Sequence, residues 1–218
     1  MSRYENDKDA FIAEAQPVDG PFAQAVDAIA REEGLWIVYT MNELNPEGLP
    51  FNTAVITDPD GIRRAAYRKV HLFESANVHE SERIAAGSRL CDPVETPFGM
   101  LSAAICYDVR FPEVARAAAR RGCTLLVYPA AWFAGPGKRD QWLTLLKARA
   151  LENEMFVAGA CRGDEGYCAA SAVFGPDGTL LASAGDGEEL VICELDTDAI
   201  ARMRQAIPVL DHLRDDVY

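Results

Sequence analysis

Strand-like runs in this chain are joined in two different ways, and that combination limits the fold more than any other feature. Residues 51–58 (FNTAVITD) and 62–69 (IRRAAYRK) are separated only by Pro59-Asp60-Gly61, a turn sequence that suits an antiparallel hairpin. Residues 100–106 (MLSAAIC) lead instead through a helical stretch at 112–121 into a strand-like run at 123–128 (CTLLVY). Pro112 suits the first turn of that helix and Gly122 its stop. A strand-helix-strand connection joins parallel neighbours, whereas a hairpin joins antiparallel ones. Their coexistence points to mixed sheets with helices layered on them, an α/β fold.

The rest of the chain fits this plan. Residues 21–33 read as an amphipathic helix with Phe22, Ala25, Val26, Ile29 and Ala30 on one face, entered at Pro21 and stopped at Gly34. A strand is expected at 35–42. Residues 73–97, punctuated by Gly87, Pro93 and Pro97, read as a long ordered loop, and such loops are often functional. Residues 129–138 form a Pro/Gly-rich loop and 139–154 a helix. Strands are expected at 155–161, 168–174, 179–184 and 189–195, with the turn Gly175-Pro176-Asp177-Gly178 among them, before a polar, partly helical tail. No linker or repeat divides residues 1–218, so one domain is expected.

Charge and composition exclude several classes of partner. The net charge is −13, which argues against a nucleic-acid phosphate backbone. No apolar run approaches the roughly 20 residues of a membrane helix, and the polar start MSRYEND lacks a signal core. A cytoplasmic protein without a membrane partner is expected. Six cysteines (Cys91, Cys106, Cys123, Cys161, Cys168 and Cys193) lie scattered without a CxxC, which in that compartment reads as reduced thiols. Neither they nor the three histidines have metal-ligand spacing, so no metal is expected. Gly135-Pro136-Gly137-Lys138 lacks the spacing of a phosphate loop and the Ser/Thr after its lysine.

Three segments carry potential chemistry: Tyr67-Arg68-Lys69-Val70-His71-Leu72-Phe73, His79-Glu80-Ser81 and Cys106-Tyr107-Asp108-Val109-Arg110-Phe111-Pro112-Glu113. A cysteine between strand and helix sits at an elbow beside backbone N–H groups, which favour a thiolate and later an oxyanion. A thiol that attacks an amide also needs a base for its proton and a cation for the tetrahedral anion. Lys69 can supply the cation, and Glu80 can hold that lysine and handle protons. By residue type alone, the plainer reading comes first for each: Cys106 a buried elbow cysteine capped by Asp108, Lys69 a solvated strand-end lysine, and Glu80 a surface acid.

Taken together, YRKVHLFE, HES, CYDVRFPE and YPAAW resemble, in order and distance, the lysine, second-glutamate, cysteine and post-cysteine motifs of the nitrilase superfamily of carbon–nitrogen hydrolases. FNTAVITDPDG, LLKARALENEMFVAGA, PDGTLLASAGDGEELVICELD and the ending RDDVY extend the resemblance over nearly the whole chain, with Ala169-Ala170-Ser171 departing from a frequent Gly-x-Ser. The resemblance implies a nitrilase-type αββα sandwich that assembles as homodimers or larger homo-oligomers through helix faces. It implies hydrolysis of a small-molecule amide or carbamoyl compound without a cofactor. By resemblance Cys106 is the nucleophile, and Lys69 with the N–H of Tyr107 forms the oxyanion hole. Glu80 positions the lysine, Trp132 lines the pocket, Arg110 and Glu113 pair beside the elbow, and Arg149, Glu152 and Asn153 brace a helix. Glu43 is expected near the substrate.

One departure is larger. The family pattern begins with a β-α-β unit, roughly 30 or more residues, whose second strand ends in Pro-Glu and supplies the general base. Nothing before residue 20 resembles it, and MSRY looks like the segment that follows it. The expectation is a chain lacking that unit, through a start placed at an internal methionine or through natural truncation, with exposed apolar edges. Glu43, Glu5, or a Cys–His pair using His71 or His79 are substitutes for the base. A catalytically inactive relative that binds a small molecule or a partner subunit is the alternative reading.

Overall fold

A computed structural model of the protein describes residues 8–187, 189–214, 216 and 217. The MSRY segment and Glu5 lie outside the described residues, as do Asp215 and Tyr218 of the RDDVY ending. A short helix α1 (Lys8–Ala13), not expected from the sequence, leads to helix α2 (Pro21–Glu33). Strands β1 (Ile37–Glu43), β2 (Phe51–Thr57) and β3 (Arg63–Arg68) then form an antiparallel three-stranded sheet in that order.

The hairpin between β2 and β3 turns on Asp58. This buried carboxylate accepts the amides of Asp60 at 2.9 Å and Ile62 at 2.8 Å, and the Nε of Arg64 at 2.5 Å. Gly61 follows with φ +70°, where a Cβ would stand 2.5 Å from the carbonyl oxygen of Asp27. The turn therefore requires glycine both for its left-handed backbone and for the close approach of α2.

The second sheet has six strands in the order β4 (Val94–Thr96), β5 (Gly99–Ala103), β6 (Leu125–Ala130), β7 (Phe156–Cys161), β8 (Ala172–Phe174) and β9 (Leu180–Ser183). Helix α3 (Pro112–Arg120) connects β5 to β6, and helix α4 (Lys138–Leu151) connects β6 to β7. Both pairs are parallel, whereas β4, β8 and β9 pair antiparallel, so the expected mixture is present. Strand β1 faces β6 and β2 faces β5 across the interior. There Ala54, Ile56, Tyr67, Leu101, Leu126 and Tyr128 form one buried cluster with the inner residues of α3 and α4. No helix of the described residues is long and apolar enough to cross a membrane.

Two expectations fail in instructive ways. Most of the apolar stripe of α2 does not face the core: Phe22, Ala25 and Ile29 are exposed, and of the expected stripe only Ala30 is buried, together with Ala23 and Asp27. Asp27 decides the rotation of the helix, because its carboxylate accepts the Thr57 hydroxyl at 3.1 Å and lies 3.5 Å from Arg63. The small side chains of Ala23 and Ala30 let that face approach the sheet. Residues 189–195 form no strand, and Leu190 and Ile192 are 82% and 79% exposed. A run of apolar residues such as Leu190-Val191-Ile192-Cys193 makes a strand only where a neighbouring strand completes its ladder. None among the described residues does so here. A final helix α5 (Asp198–Ala206) follows.

Helix α4 packs its fully buried Trp142 and Leu146 onto Gly159 of β7. A Cβ at that glycine would meet Leu146 at 2.5 Å and the Trp142 ring at 2.7 Å. Gly159→Ala is expected to cost about 1–3 kcal/mol through overpacking, read as a lower urea midpoint at unchanged slope. An unshifted midpoint would show that α4 has room to move away.

Candidate active site

Lys69 stands one residue beyond β3, where the chain leaves the sheet. Its amide donates to the Asn52 carbonyl at 2.9 Å, and its own carbonyl accepts the Gly87 amide at 2.8 Å, so backbone bonds fix it on both sides. The side chain is 2% exposed, and its Nζ lies 2.5 Å from Oε2 of Glu80. Burying an ammonium is costly unless a partner and hydrogen bonds compensate. Glu80 provides that compensation from the first residue of a short 3-10 turn (Glu80–Glu82). The same carboxylate oxygen accepts the Phe73 amide at 2.6 Å, and the Glu80 amide donates to the Phe73 carbonyl at 3.0 Å. The long 73–97 segment thus folds back on itself to present one carboxylate to one lysine.

Cys106 opens a second 3-10 turn (Cys106–Arg110), separated by two residues from the end of β5. Its φ is +47°, a left-handed conformation that non-glycine residues rarely adopt and that strained functional positions often do. The first amides of a helical turn have no acceptor within it, so the elbow presents N–H donors beside the sulfur. Burial pushes the Cys106 thiol up to about 11; the nearby Lys69 charge pulls it down, and Glu80 partly cancels that pull.

Asp108 joins the two segments. It is fully buried and accepts the Tyr67 hydroxyl at 2.7 Å and the Ile105 amide at 2.8 Å through one oxygen. Its other oxygen faces the His71 amide at 3.2 Å and the His71 Nδ1 at 2.9 Å. Burial and the neighbouring Asp108 charge drive the Tyr67 hydroxyl well above the ordinary tyrosine range, so it stays a donor.

Cys106, Lys69, Glu80, Tyr107 and Trp132 all line one cavity of about 590 Å³. Trp132 is held by an Nε1 bond to the Lys138 carbonyl at 2.9 Å and by its neighbour Trp142. The Tyr107 ring stands edge-on between Phe73 and Phe111. Arg149 donates to the Val109 carbonyl at 2.9 Å and to Glu152 at 2.8 Å, and Asn153 donates to the Arg149 carbonyl, which fastens α4 beneath the elbow. Arg110 lines the cavity, with its guanidinium over the Trp132 ring and a bond to Gln141.

Glu43 is the exception among the sequence-predicted site residues. It is buried at the end of β1, away from the Cys106 cavity, and lines a separate surface depression. It accepts the Thr53 hydroxyl at 2.6 Å and two Arg68 donors at 2.6 and 3.0 Å. Burial alone would raise its carboxyl pKa, but those bonds outweigh it and hold the group below the ordinary range. Both of its oxygens are taken up by these partners, and it does not line the Cys106 cavity. His71 is spent on Asp108 and stacked on Phe111, and His79 pairs with Glu74; neither lines the cavity. Sequence reasoning missed Arg83, Arg162 and the stacked Phe133–Tyr167 pair of the cavity wall, residues with no motif around them. Among the described residues no cluster of His, Cys, Asp or Glu side chains that could hold a metal ion is present.

Two outcomes are expected. A thiol with its pKa near 11 is protonated below that pH and reacts through its small thiolate fraction. Alkylation of Cys106 by iodoacetamide, followed by peptide mass spectrometry, should therefore quicken about tenfold per pH unit from 7 to 10, without a plateau. A plateau near neutral pH would show a thiolate already formed. Asp108→Asn turns an acceptor of four contacts into a group with its own N–H donors, at an expected cost of roughly 2–3 kcal/mol. Its denaturant midpoint should fall, and an unchanged midpoint would remove Asp108 as the tie between the segments.

Comparison with known proteins accords with this arrangement. Residues 4–205 match the family model described as carbon–nitrogen hydrolase. The nitrilase and fragile histidine triad fusion protein NitFhit of Caenorhabditis elegans is 34% identical over 220 residues, covering 94% of this chain and 49% of that protein. The chain thus spans about half the length of that relative. Its crystal structure superposes with a TM-score of 0.90 at 33% identity, covering 98% of this chain and 55% of the other. Human omega-amidase NIT2 is 34% identical over 214 residues, covering 94% of this chain and 77% of that protein. A mutant amidase from Nesterenkonia sp. in complex with butyramide superposes with a TM-score of 0.72 at 30% identity, covering 88% and 72%. The two-sheet α/β architecture is that of the nitrilase fold, and the chain belongs to the carbon–nitrogen hydrolase family.

Proposed function

We propose that the protein hydrolyses the carbon–nitrogen bond of a small amide or carbamoyl compound through a thioester on Cys106. The observation that carries this reading is the meeting of a left-handed cysteine elbow with a buried Lys69–Glu80 pair on one cavity wall. Cys106 sulfur attacks the carbonyl carbon as its proton leaves. The Lys69 ammonium and the N–H of Tyr107 stabilise the oxygen that becomes negative. Collapse of the tetrahedral species breaks the C–N bond and releases ammonia or an amine, which carries away a proton. Water then attacks the thioester, and the acid leaves as the thiol is restored.

Proton movement falls to Glu80. It is the one carboxylate of the cavity wall among the described residues, and it already accepts two hydrogen bonds. The high thiol pKa makes that help important, because little thiolate forms unaided at neutral pH. The same features favour the second reading, a small-molecule-binding relative with little turnover.

Ammonia release from a panel of small amides and carbamoyl amino acids separates the two readings. Turnover is expected, together with an acyl adduct on Cys106 by intact-mass spectrometry. Cys106→Ala should lower turnover more than about a thousandfold with the fold intact, and Glu80→Gln by about 10²–10⁴-fold. Turnover retained in Cys106→Ala would sink the mechanism. Tight binding of an amide without any adduct would establish the second reading.

A further inference from the structure

The six-stranded sheet carries a second cavity at the end opposite Cys106. Cys106, Trp132 and Arg162 stand beyond the last residues of β5, β6 and β7 and line the first cavity. Gly99, Leu125 and Phe156, the first residues of the same three strands, line the second, of about 710 Å³. The three strands run parallel, so the two cavities lie at opposite ends of the sheet. Ile200, Ala201 and Arg204 line the second cavity from α5, at a spacing that puts them on one helix face.

Arg204 brings the one charge among the described residues that line this cavity. In three other arginines the Nε and Nη2 nitrogens donate side by side to both oxygens of a carboxylate: Arg68 to Glu43, Arg162 to Asp164 and Arg214 to Asp216. That edge of the guanidinium carries two parallel N–H groups that match a carboxylate. In Arg204 the same two nitrogens are covered by protein, yet they have no hydrogen-bond partner among the described residues. Buried donors left unpaired are costly. Turning this edge into the adjoining cavity breaks no hydrogen bond made by it, and a carboxylate waiting there would gain two. The rim does not supply one. Asp196, between the lining residues Leu195 and Thr197, is already engaged by Arg202 and by the Asp198 amide.

The remaining walls decide what the carboxylate is attached to. A small, strongly hydrated anion gains nothing from Leu125, Phe156 and Ile200. An apolar chain or ring is withdrawn from water against them while its charged end meets Arg204. We propose that this cavity binds a small monocarboxylate with an apolar chain or ring, held two-pronged by Nε and Nη2 of Arg204. The site is separate from Cys106 and does not depend on turnover there.

Octanoate is the probe. Calorimetry on the unaltered protein compares it with octan-1-ol, which keeps the chain without the charge, and with acetate, which keeps the charge without the chain. Octanoate should bind about 10- to 100-fold more tightly than octanol and at least about tenfold more tightly than acetate. Arg204→Gln should remove the advantage over octanol, and Arg204→Lys should restore only part of it, because an ammonium lacks the fork. Without ligand, Arg204→Gln should keep or raise the denaturant midpoint, since it removes an unpaired charge; a lowered midpoint would show an arginine that the fold already satisfies and would overturn the proposal. Phe98→Ala tests the apolar wall without touching Arg204. That ring is 39% exposed and lines the cavity, and its loss should weaken octanoate about 3- to 10-fold with an unchanged circular dichroism spectrum. Arg83→Gln/Lys138→Gln, which removes charge from the Cys106 cavity, should leave octanoate binding as it was; weaker binding there would place the anion in the other cavity. That result overturns the proposal, as do equal binding of octanol and octanoate, undiminished binding to Arg204→Gln, and an absence of binding, the outcome expected if a second copy of the chain covers the cavity.

Discussion

The site depends on one buried carboxylate that is not expected to touch substrate. Lys69 and Cys106 lie on segments that leave different sheets, β3 in one and β5 in the other. Nothing in either sheet's ladder sets the distance between them. Asp108 does so, with one oxygen on Tyr67 and the Ile105 amide and the other on the amide and ring of His71. Three of those contacts come from the lysine segment and one from the elbow. A buried carboxylate is stable only with its acceptor capacity filled, and both segments are needed to fill it. Displacing either segment would leave a desolvated charge short of partners. The requirement that Asp108 be satisfied therefore becomes a constraint on the geometry of the cavity.

The same reasoning explains what could be read in the sequence and what could not. The hairpin at Pro59-Asp60-Gly61 and the crossover through 112–121 are local matters of turn chemistry and period, and both are present as expected. Lys69, Glu80, Cys106, Tyr107 and Trp132 sit within recognisable motifs and meet at one cavity. Asp108 was visible only as a capping residue, because its partners Tyr67 and His71 are about forty positions away in the chain. Glu43 was misplaced because Arg68 and Thr53, its partners across the sheet, are known only once the register is known. Residues 189–195 show the converse. Their apolar run, Leu190-Val191-Ile192-Cys193, is real, but a strand is a property of two segments, and one segment's pattern cannot supply the other.

Helix α2 carries a related lesson about amphipathicity. The stripe that includes Phe22 and Ile29 has the stronger apolar signal, yet Asp27 faces the sheet with Ala23 and Ala30. Two polar anchors, Thr57 and Arg63, together with small neighbours that permit close approach, outweigh a larger apolar face of which Phe22 keeps only an edge contact with the Tyr39 ring. Burial area is a driving force only where a complementary surface exists.

The balance of the Lys69–Glu80 pair also accounts for the state of the cysteine. A lone buried ammonium beside Cys106 would favour the thiolate strongly, but it would be costly to bury. Pairing it with Glu80 makes the burial tolerable and offsets part of its effect on the sulfur. The thiol pKa near 11 is the result of burial outweighing the pull of Lys69, which Glu80 partly cancels. In the proposed reaction the imbalance appears only when it is needed. As the proton leaves the sulfur towards Glu80, the carboxylate loses its charge and the lysine's positive charge is no longer offset. That is the moment at which the substrate carbonyl becomes an oxyanion. A pair that is quiet in the resting protein and polarised during proton transfer stabilises the transition state more than the ground state, which is the condition for lowering the barrier.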